Sequence, residues 1–404
     1  MSELSYLGKL LDGVEVEWKM LGEVIHSLKT GLNPRQNFSL NTLDAQGYYV
    51  TVREIQNGKV VFLDKTDRVN DRALKIINGR SNLEAGDILF SGTGTVGRIA
   101  VIEENPINWN IKEGVYTIKP IKEKIAPRFL SYLLQSSKIV KDYSKKIVGN
   151  PVISLPMGDL KKLLIPIPCP DNPEKSLAIQ SEIVRILDKF TALTAELTAE
   201  LNMRKKQYNY YRDQLLSFKE GEVEWKTLGE VAVIGTGNHD TQDAIEHGKY
   251  IFYARGREPL KLNVFDFDET AIITAGDGAG VGKVFHYAKG KYALHQRAYR
   301  IVPNAFMNPR FVYHYITAYF FTYIQKASVS SSVTSLRRPM FLKFPIPVPP
   351  SEEQARIVEI LDKFDTLTNS ITEGLPREIE WRQKQYEYYR DLLFSFPKPE
   401  TVSN

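Results

Sequence analysis

An internal repeat constrains this 404-residue sequence more than any other feature. Repeated segments of this length predict two similar units built from one chain. Convergent helix composition would not reproduce Trp, Gly and paired Tyr in the same order, so the repeat indicates a duplication. Three segments recur in the same order with most positions identical: EVEWKMLGEV at 15–24 and EVEWKTLGEV at 222–231, IVRILDKFTALT at 183–194 and IVEILDKFDTLT at 357–368, and RKKQYNYYRDQLLSF at 204–218 and RQKQYEYYRDLLFSF at 382–396.

The intervals between the repeated segments have diverged. Residues 25–162 and 232–343 share only a faint skeleton, in which the glycine-rich segment 86–105 parallels 269–288. A duplicated frame with divergent inserts is expected when the frame binds one partner twice and the inserts bind two different targets. The chain also starts within a repeat, so joining its ends would close a ring of two equal units. We therefore predict a circular, pseudo-two-fold molecule with neighbouring termini.

The connectors between the inserts have the pattern of long helices. Apolar residues step by three and four from Ile183 to Leu197, which is the seam of a coiled coil. An extra step of four falls in a tandem TAEL, and the second connector has two such steps near Gly374 and Pro376, which should weaken or kink it. A helical hairpin that only stabilises the fold explains the seam equally well. The tandem consists of Thr194, Ala195, Glu196, Leu197, Thr198, Ala199, Glu200 and Leu201.

Polar positions that both connectors retain need a cause beyond the seam. A surface that is copied along with the frame is expected where the same partner docks twice. The candidate docking residues are Asp188, Lys189, Gln207, Arg212 and Asp213 in the first connector and Asp362, Lys363, Gln385, Arg390 and Asp391 in the second.

Composition limits the chemistry and the compartment. The formal charge of +5 and the pI of about 8.9 permit a polyanionic partner without requiring one. The single cysteine, Cys169, excludes an internal disulfide or a cysteine zinc site and fits a reducing compartment. No apolar run approaches the ~20 residues that span a bilayer, and the amino-terminal segment does not have the pattern of a signal peptide. We therefore predict a cytoplasmic protein with no membrane contact.

The sequence has no convincing catalytic signature. GTGTVG at 92–97 matches the glycine pattern of dinucleotide sites, but the next segment alternates like a strand, and the second copy at 276–283 breaks the spacing. We interpret both as glycine-rich hairpins. The six histidines show no HExxH spacing, and methyltransferase and clustered acidic nuclease motifs are absent. The sequence predicts no catalytic residue, no metal ligand and no cofactor bound by this chain.

Each insert has a polar, basic segment immediately before its PIP exit, at 143–155 and 326–340. Lys and Arg hold phosphates, whereas polar side chains at base edges read DNA sequence. A solvated flexible loop is an equally good interpretation of the serine run. Arg53, Arg255 and Arg257 follow short apolar strands and serve equally well as structural salt-bridge donors. The candidate DNA contacts, which include the glycine hairpins and the LHQRAYR segment, are Arg98, Lys145, Lys146, Asn150, Lys283, His295, Gln296, Arg297, Ser330, Ser331, Ser332, Thr334, Arg337 and Arg338.

These segments together closely resemble the specificity subunit of type I restriction-modification enzymes. The tandem TAEL at 194–201 most resembles the type IC group of that family. The resemblance covers essentially the whole chain. It is close in 1–24, 163–231 and 344–404 and looser in the inserts, so base-contacting residues do not transfer from other members.

The resemblance implies an α+β fold in which two globular target-recognition modules are joined by two long antiparallel conserved helices. The predicted domains are a first target-recognition domain at 1–170, a central conserved helical spacer at 171–220, a second target-recognition domain at 221–350 and a C-terminal conserved helical spacer at 351–404. Each module would read one half of an asymmetric bipartite site in double-stranded DNA. The helices would set the spacer between the half-sites.

The same resemblance implies that partners supply the catalysis. Two methyltransferase (modification) subunits would dock on the helices with S-adenosylmethionine, and restriction/translocase subunits that use ATP and Mg would join them. Each TAEL adds about 6 Å of helix, the length of about one to two base pairs, so helix length would act as a ruler. A self-sufficient methyltransferase or nuclease and a coiled-coil scaffold that never touches DNA are the alternative functions.

Overall fold

The chain divides into two compact units within the tandem TAEL. The first unit comprises Met1–Glu196 and Glu380–Asn404, and the second comprises Leu197–Ile379. Both units combine helices with sheets, as the predicted α+β class requires. The structure is a computed structural model that describes residues 4–11, 13–34, 37–219, 221–327, 335–370 and 372–397.

The first unit contains short helices and strands, followed by one long helix. Its strands are β1 Val16–Met20, β2 Ile25–Thr30, β3 Gly47–Val50, β4 Ile55–Gln56, β5 Lys59–Val60, β6 Arg68–Val69, β7 Ile88–Ser91, β8 Ile99–Val101, β9 Trp109–Ile111, β10 Val115–Pro120 and β11 Leu164–Pro168. Its helices are α1 Leu4–Leu11, α2 Asp71–Arg80, α3 Pro127–Leu134, α4 Ser137–Ser144 and α5 Met157–Lys161. Helix α6, Pro173–Leu215, begins in this unit and ends in the second.

The second unit repeats this plan with longer strands. Its strands are β12 Glu224–Thr227, β13 Ala232–Thr236, β14 Tyr250–Tyr253, β15 Leu260–Leu262, β16 Phe267–Ala275, β17 Phe285–Leu294, β18 Ala298–Pro303 and β19 Pro345–Val348. Its helices are α7 Leu228–Val231, α8 Pro309–Ala327, α9 Arg338–Leu342 and α10 Ser351–Asn369. Helix α11, Gly374–Leu393, begins in this unit and ends in the first.

The repeated EVEWK and PIP segments pair with each other in both units. Strand β1 runs antiparallel to β11 with Trp18 opposite Pro166, and β12 runs antiparallel to β19 with Trp225 opposite Pro347. Proline lacks the N–H that a central strand needs, so two-stranded ribbons suit these segments. We call the chain between the paired strands the first module, residues 16–168, and the second module, residues 224–348.

Each module is built on a mostly antiparallel sheet. The first has a four-stranded sheet in the order β2-β10-β7-β8 beside a three-stranded sheet in the order β6-β3-β9. The second has a single six-stranded sheet in the order β13-β18-β16-β17-β14-β15. The inserts have therefore diverged in sheet arrangement between strand pairs that are the same in both units.

The repeated apolar positions of the connectors lie in the hydrophobic cores. Ile183 and Leu187 of α6 are fully buried in the first unit, and Ile357 and Leu361 of α10 are fully buried in the second. In contrast, the described side chains of 188–201 are half-buried or exposed. The tandem TAEL consequently lies outside both cores.

The carboxyl-terminal segment completes the core of the first unit. The rings of Phe394 and Phe396 contact Phe129 of α3, with centroids 5.3 and 6.2 Å apart. The Nε1–H of Trp18 donates a hydrogen bond of 2.8 Å to the carbonyl of Pro397. These contacts agree with the predicted proximity of the two ends of the chain.

The second connector is two helices, so the expectation of one long helix is wrong there. Helix α10 ends at Asn369 and α11 begins at Gly374, whose φ of 77° is left-handed. A Cβ at position 374 would lie 2.3 Å from the carbonyl oxygen of Thr366, so a side chain does not fit. The predicted weak point near Gly374 and Pro376 is confirmed. Helix α6, by contrast, continues unbroken for 43 residues.

A buried glutamine joins each module to its connector. The Oε1 of Gln180 accepts a hydrogen bond of 2.8 Å from the amide of Ala126, and its Nε2 donates one of 3.0 Å to the carbonyl of Lys124. The Oε1 of Gln354 accepts one of 2.7 Å from the amide of Asn308. Both glutamines are almost fully buried. Each fixes the chain immediately before a module helix, α3 or α8.

Replacement Gln354→Ala should lower the free energy of unfolding of the full chain by about 1–3 kcal/mol, because the amide of Asn308 loses its partner in the interior. Urea denaturation followed by circular dichroism measures this. The matched control is Gln383→Ala on the exposed face of α11, which should change stability by less than about 0.5 kcal/mol. Equal losses in the two variants would contradict an anchoring role for Gln354.

Candidate nucleic-acid interface

The glycine-rich segments are tight turns between antiparallel strands, as predicted. Residues 92–97 connect β7 to β8, and residues 276–284 connect β16 to β17. Gly94 and Gly278 have φ of 78° and 80°, a left-handed conformation that glycine adopts without strain. A helix does not follow either turn, so neither has the strand–turn–helix context of a dinucleotide site.

Two further segments meet each glycine-rich turn through equivalent backbone hydrogen bonds. In the first module, the amide of Leu155 donates to the carbonyl of Gly92 at 2.8 Å, and the amide of Gly92 donates to Gly114 at 2.8 Å. In the second, the amide of Leu336 donates to Gly276 at 2.7 Å, and the amide of Gly276 donates to Arg297 at 2.8 Å. These segments meet at what we call the glycine-turn end of each module. It comprises residues 92–97, 112–114 and 153–155 in the first module and residues 276–282, 295–297 and 335–336 in the second.

The first module places its basic candidates on exposed surface. The Nη1 of Arg98 donates a hydrogen bond of 3.0 Å to the carbonyl of Val52, which fixes its orientation. Lys145 is exposed at the end of α4, 3.9 Å from Asp142, and Lys146 is half-buried. Asn150 is exposed and lies in a loop closed by paired hydrogen bonds between residues 148 and 154.

In the second module, two arginines share one carboxylate at the glycine-turn end. The Nη1 of Arg255 lies 3.0 Å from one oxygen of Asp277, and the Nη1 of Arg297 lies 3.1 Å from the other. Burial by itself would raise the pKa of Asp277, but the two guanidinium groups outweigh it and hold that pKa below its ordinary value. The carboxylate therefore stays ionised, and the group as a whole carries one net positive charge.

His295 is buried, with 1% of its surface exposed, so the structure argues against its predicted contact with a base. Its Nδ1 accepts a hydrogen bond of 2.9 Å from the amide of Arg297. Burial lowers the pKa of His295, and this keeps the ring neutral at pH 7. The adjacent Gln296 is exposed and donates from Nε2 to Asp240 at 3.0 Å. His295 consequently positions the turn that carries Gln296 and Arg297.

The remaining candidates of the second module lie at its surface or outside the described residues. Lys283 is exposed, with its Nζ 4.9 Å from the ring centre of Phe321. Arg337 and Arg338 are exposed at the start of α9. Ser330, Ser331, Ser332 and Thr334 lie outside the described residues.

The repeated aspartates of the connectors bind side chains of their own modules. Asp188 accepts hydrogen bonds of 2.7 Å from both Arg128 and Tyr132 of α3. Asp362 accepts from Arg310 of α8 at 2.6 and 2.9 Å, and it also pairs with a histidine of that helix. Duplication has therefore copied an internal attachment, and this contact accounts for both aspartates without a partner.

The other repeated polar residues of the connectors also have neighbours within the chain. Arg204 donates to Gln207 at 3.0 Å, and Arg382 donates to Gln385 at 2.9 Å. The equivalent pairs Arg212–Asp213 and Arg390–Asp391 are adjacent salt bridges, and Asp391 additionally accepts from the amide of Ser137. Lys363 pairs with Glu359, and Lys189 is exposed.

The connectors also repeat exposed apolar positions. Sequence reasoning placed Tyr211 and Tyr389 on the apolar seam, where they stack on Phe364 and Phe190, and missed the other four. Six side chains at three equivalent positions each expose between 41% and 62% of their surface. The signal was present in the repeat itself, because two of the three positions are tyrosine in both copies. The six are Met203, Tyr210 and Tyr211 in α6 and Trp381, Tyr388 and Tyr389 in α11.

The described residues show neither a metal cluster nor a membrane-spanning helix. Among the described residues, no group of three or more His, Cys, Asp or Glu side chains is arranged to hold a metal ion. In the described part of the chain, no helix has both the length and the apolar surface to cross a membrane.

Comparison with known proteins identifies the family. The family model of the type I restriction modification DNA specificity domain matches the chain twice, at residues 14–204 and 220–381. The chain belongs to this family. The chain is similar to the specificity subunit of the Escherichia coli type I restriction enzyme EcoR124I/EcoR124II. The two are 42% identical over 441 aligned positions, which cover all of both chains. The specificity subunit of the E. coli EcoprrI enzyme is 38% identical over 92% of this chain and 93% of its own.

A solved structure supports the fold independently. The S subunit of a type I restriction-modification system from M. genitalium matches with a TM-score of 0.59 and covers 96% of this chain and 98% of that one at 17% identity. The predicted family and α+β fold are thereby confirmed, and the function is that of a DNA specificity subunit. Assignment to the type IC group stays a prediction.

Replacement Asp362→Asn should lower the free energy of unfolding by about 1–2 kcal/mol at pH 7, because hydrogen bonds to a partly exposed charged group are lost. Burial opposes ionisation, but His314 and Arg310 hold the pKa of Asp362 below its ordinary 3.8. The native carboxylate therefore stabilises the fold above pH 3.8, and this advantage disappears as the pH falls through the lowered pKa. Urea denaturation between pH 7 and pH 3 tests this.

The matched control is Glu359→Gln on the exposed face of α10, which should change stability little at any pH. If Asp362→Asn were as stable as the wild type throughout, the internal attachment would be wrong and docking would again be the better explanation.

Proposed function

We propose that this specificity subunit reads an asymmetric bipartite site in double-stranded DNA, one half with each module, and performs no catalysis itself. Its connectors dock two methyltransferase subunits and set the spacer between the half-sites. S-adenosylmethionine, ATP and Mg are bound by the methyltransferase and restriction/translocase subunits. The proposed domain boundaries are 1–170, 171–220, 221–350 and 351–404.

The observation that carries this proposal is a shared backbone frame with different side chains. Both modules close their glycine-turn ends with the same backbone hydrogen bonds, yet the residue after the first glycine of the turn differs. It is Thr93 in the first module, which contacts Ser154, and Asp277 in the second, which binds Arg255 and Arg297. If these ends served stability alone, nothing would require the polar side chains to differ between the modules while the backbone contacts stayed the same. Two readers of different sequences would differ in this way.

Exposed cations provide the general attraction to DNA. Lys145 in the first module and Lys283, Arg337 and Arg338 in the second are exposed and carry charges suited to phosphates. Arg98, Asn150, Gln296 and Arg297 are oriented or positioned by their loops and are the better candidates for base edges. His295 is removed from the proposed contacts because it is buried.

The docking surface is the repeated apolar face of α6 and α11, which includes Tyr210, Tyr211, Tyr388 and Tyr389. Large exposed tyrosines at equivalent positions fit a partner that binds twice, because aromatic residues dominate protein interfaces. On α11, the predicted Gln385 lines an open groove together with Tyr388 and Tyr389. Both faces belong to the duplicated frame, so the same partner surface fits both.

Replacement of either Tyr210 or Tyr388 by Asp should weaken binding of one methyltransferase subunit by roughly 30-fold or more, the effect of losing a hot-spot side chain. Native mass spectrometry should then show one bound subunit in each single variant and none in the double variant. Lys205→Ala on the exposed surface of α6 is the control and should retain two. Two bound subunits in every variant would contradict this surface.

The tandem TAEL sets the spacer because it lengthens a continuous helix without entering either core. Helix α6 runs through 194–201 without a break, and the boundary between the two units falls inside this segment. A four-residue insertion adds about 6 Å and nearly restores the helical phase. Neither core has to be rearranged to accommodate it.

Mapping methylated adenines in a host that carries this chain and its partner subunits tests the function and the ruler together. The wild type should modify one motif with two defined halves and a fixed spacer. Inserting a third TAEL after Leu201 should keep both halves and lengthen the spacer by about one to two base pairs. Thr198→Ala preserves the helix length and should preserve the spacer. Sequence-independent methylation would refute DNA reading, and an unchanged spacer after insertion would refute the ruler alone.

A further inference from the structure

The glycine-turn ends of the two modules can be aligned residue by residue from their backbone contacts. Residues 93 and 277 each follow the first glycine of the turn and pair with a serine, Ser154 or Ser335. Gly114 and Arg297 are equivalent because their carbonyls accept from Gly92 and Gly276, both at 2.8 Å.

A third pair of equivalent positions follows from the strands β3 and β14. The carbonyl of Val50 accepts from Lys112 at 2.8 Å, and the carbonyl of Tyr253 accepts from His295 at 3.0 Å. Two residues further along the chain, these strands lead to Val52 in the first module and Arg255 in the second. Val52, Thr93 and Gly114 therefore occupy the positions of Arg255, Asp277 and Arg297.

The side chains at these three positions are neutral in one module and charged in the other. In the first module, the Oγ1 of Thr93 lies 3.1 Å from the Oγ of Ser154, and position 114 has no side chain. In the second, Asp277 binds both Arg255 and Arg297. The backbone contacts have been kept while the side chains at all three positions have changed, as expected for modules that read different bases.

The charged group of the second module is oriented and accessible. Arg297 exposes 64% of its side chain and Arg255 exposes 40%, whereas Asp277 exposes 24%. The structure places one nitrogen of each guanidinium against the carboxylate, and a guanidinium carries five N–H donors, so donors remain on both. Nδ1 of His295 also holds the backbone of Arg297. Arg297, the most exposed of the three side chains, is thus held at its guanidinium by Asp277 and at its backbone amide by His295.

We propose that Arg297, supported by Arg255 and Asp277, is a specificity-determining residue that reads a guanine in the half-site of the second module. This inference rests on the proposed function. An arginine fork matches the O6 and N7 acceptors of guanine in the major groove. A phosphate contact is the less suitable alternative, because Asp277 offsets one of the two positive charges and a phosphate does not need a fork held in one orientation. The first module has no such group, so its half-site is read differently.

The experiment maps adenine methylation in a host that carries the full complex with wild-type chain, Arg297→Ala, Arg297→Lys or Arg356→Ala. The wild-type motif should contain a fixed G·C pair in one half. Arg297→Ala should relax that pair, with discrimination reduced roughly 5- to 150-fold, and leave the other half unchanged. Arg297→Lys keeps the charge but lacks the fork, so it should relax the same pair.

Arg356→Ala is the matched control, because it also removes an exposed arginine from a salt bridge, with Glu353 on α10. Its motif should equal that of the wild type. The unchanged half of the motif shows that an Arg297 variant is folded and assembled. If Arg297→Ala stops methylation, gel shifts of the reconstituted complex on duplexes that differ at the G·C pair give the same comparison.

Three results would overturn the proposal while leaving the proposed function intact. The first is a half-site of the second module without a fixed G·C pair, and the second is an unchanged motif in the Arg297→Ala variant with uniformly weaker modification. The third is a gel shift in which Arg297→Ala and the wild type show the same relative affinities for the four bases at that position. Uniform weakening is the behaviour of a phosphate contact. Methylation without any bipartite motif in the wild type would overturn the proposed function itself, and this proposal with it.

Discussion

The attachment of each module to its conserved helix is the contact on which the remaining structure depends. Gln180 and Gln354 satisfy backbone groups just before α3 and α8, and Asp188 and Asp362 bind side chains two and six residues further along those helices. A buried amide and a charged pair together restrict both sliding and rotation. A helix can hold its two ends at a defined separation and orientation only if the attached modules do not rotate on it. Any spacer function therefore depends on this attachment.

The repeat separates what must stay constant from what must vary. The paired EVEWK and PIP strands, the anchoring glutamines and aspartates and the exposed tyrosines are the same in both copies. The glycine-turn ends share backbone contacts but differ in side chains. Backbone hydrogen bonds are independent of side-chain identity, so the side chains at a glycine-turn end can change while its backbone contacts are kept.

The two connectors differ in whether their helix is continuous. Helix α6 crosses the tandem TAEL as a continuous helix whose described side chains there avoid full burial. The second connector turns at Gly374, where a side chain would collide with the carbonyl of Thr366. An inserted turn in α6 changes the separation of its ends, whereas the break between α10 and α11 uncouples the direction of one helix from that of the next.

The sequence by itself determined the duplication, the two connectors, the weak point at Gly374 and the two glycine-rich hairpins, because local periodicity and glycine conformation decide these features. Of the glycine-turn ends, it named His295, Gln296 and Arg297 as candidates. Only the tertiary structure decided that His295 is buried beneath Arg297, that Asp188 and Asp362 point into their own modules, and that Arg255, Asp277 and Arg297 form one group. These outcomes depend on contacts between residues distant in the chain, and neither helical periodicity nor local composition records which distant segments will meet.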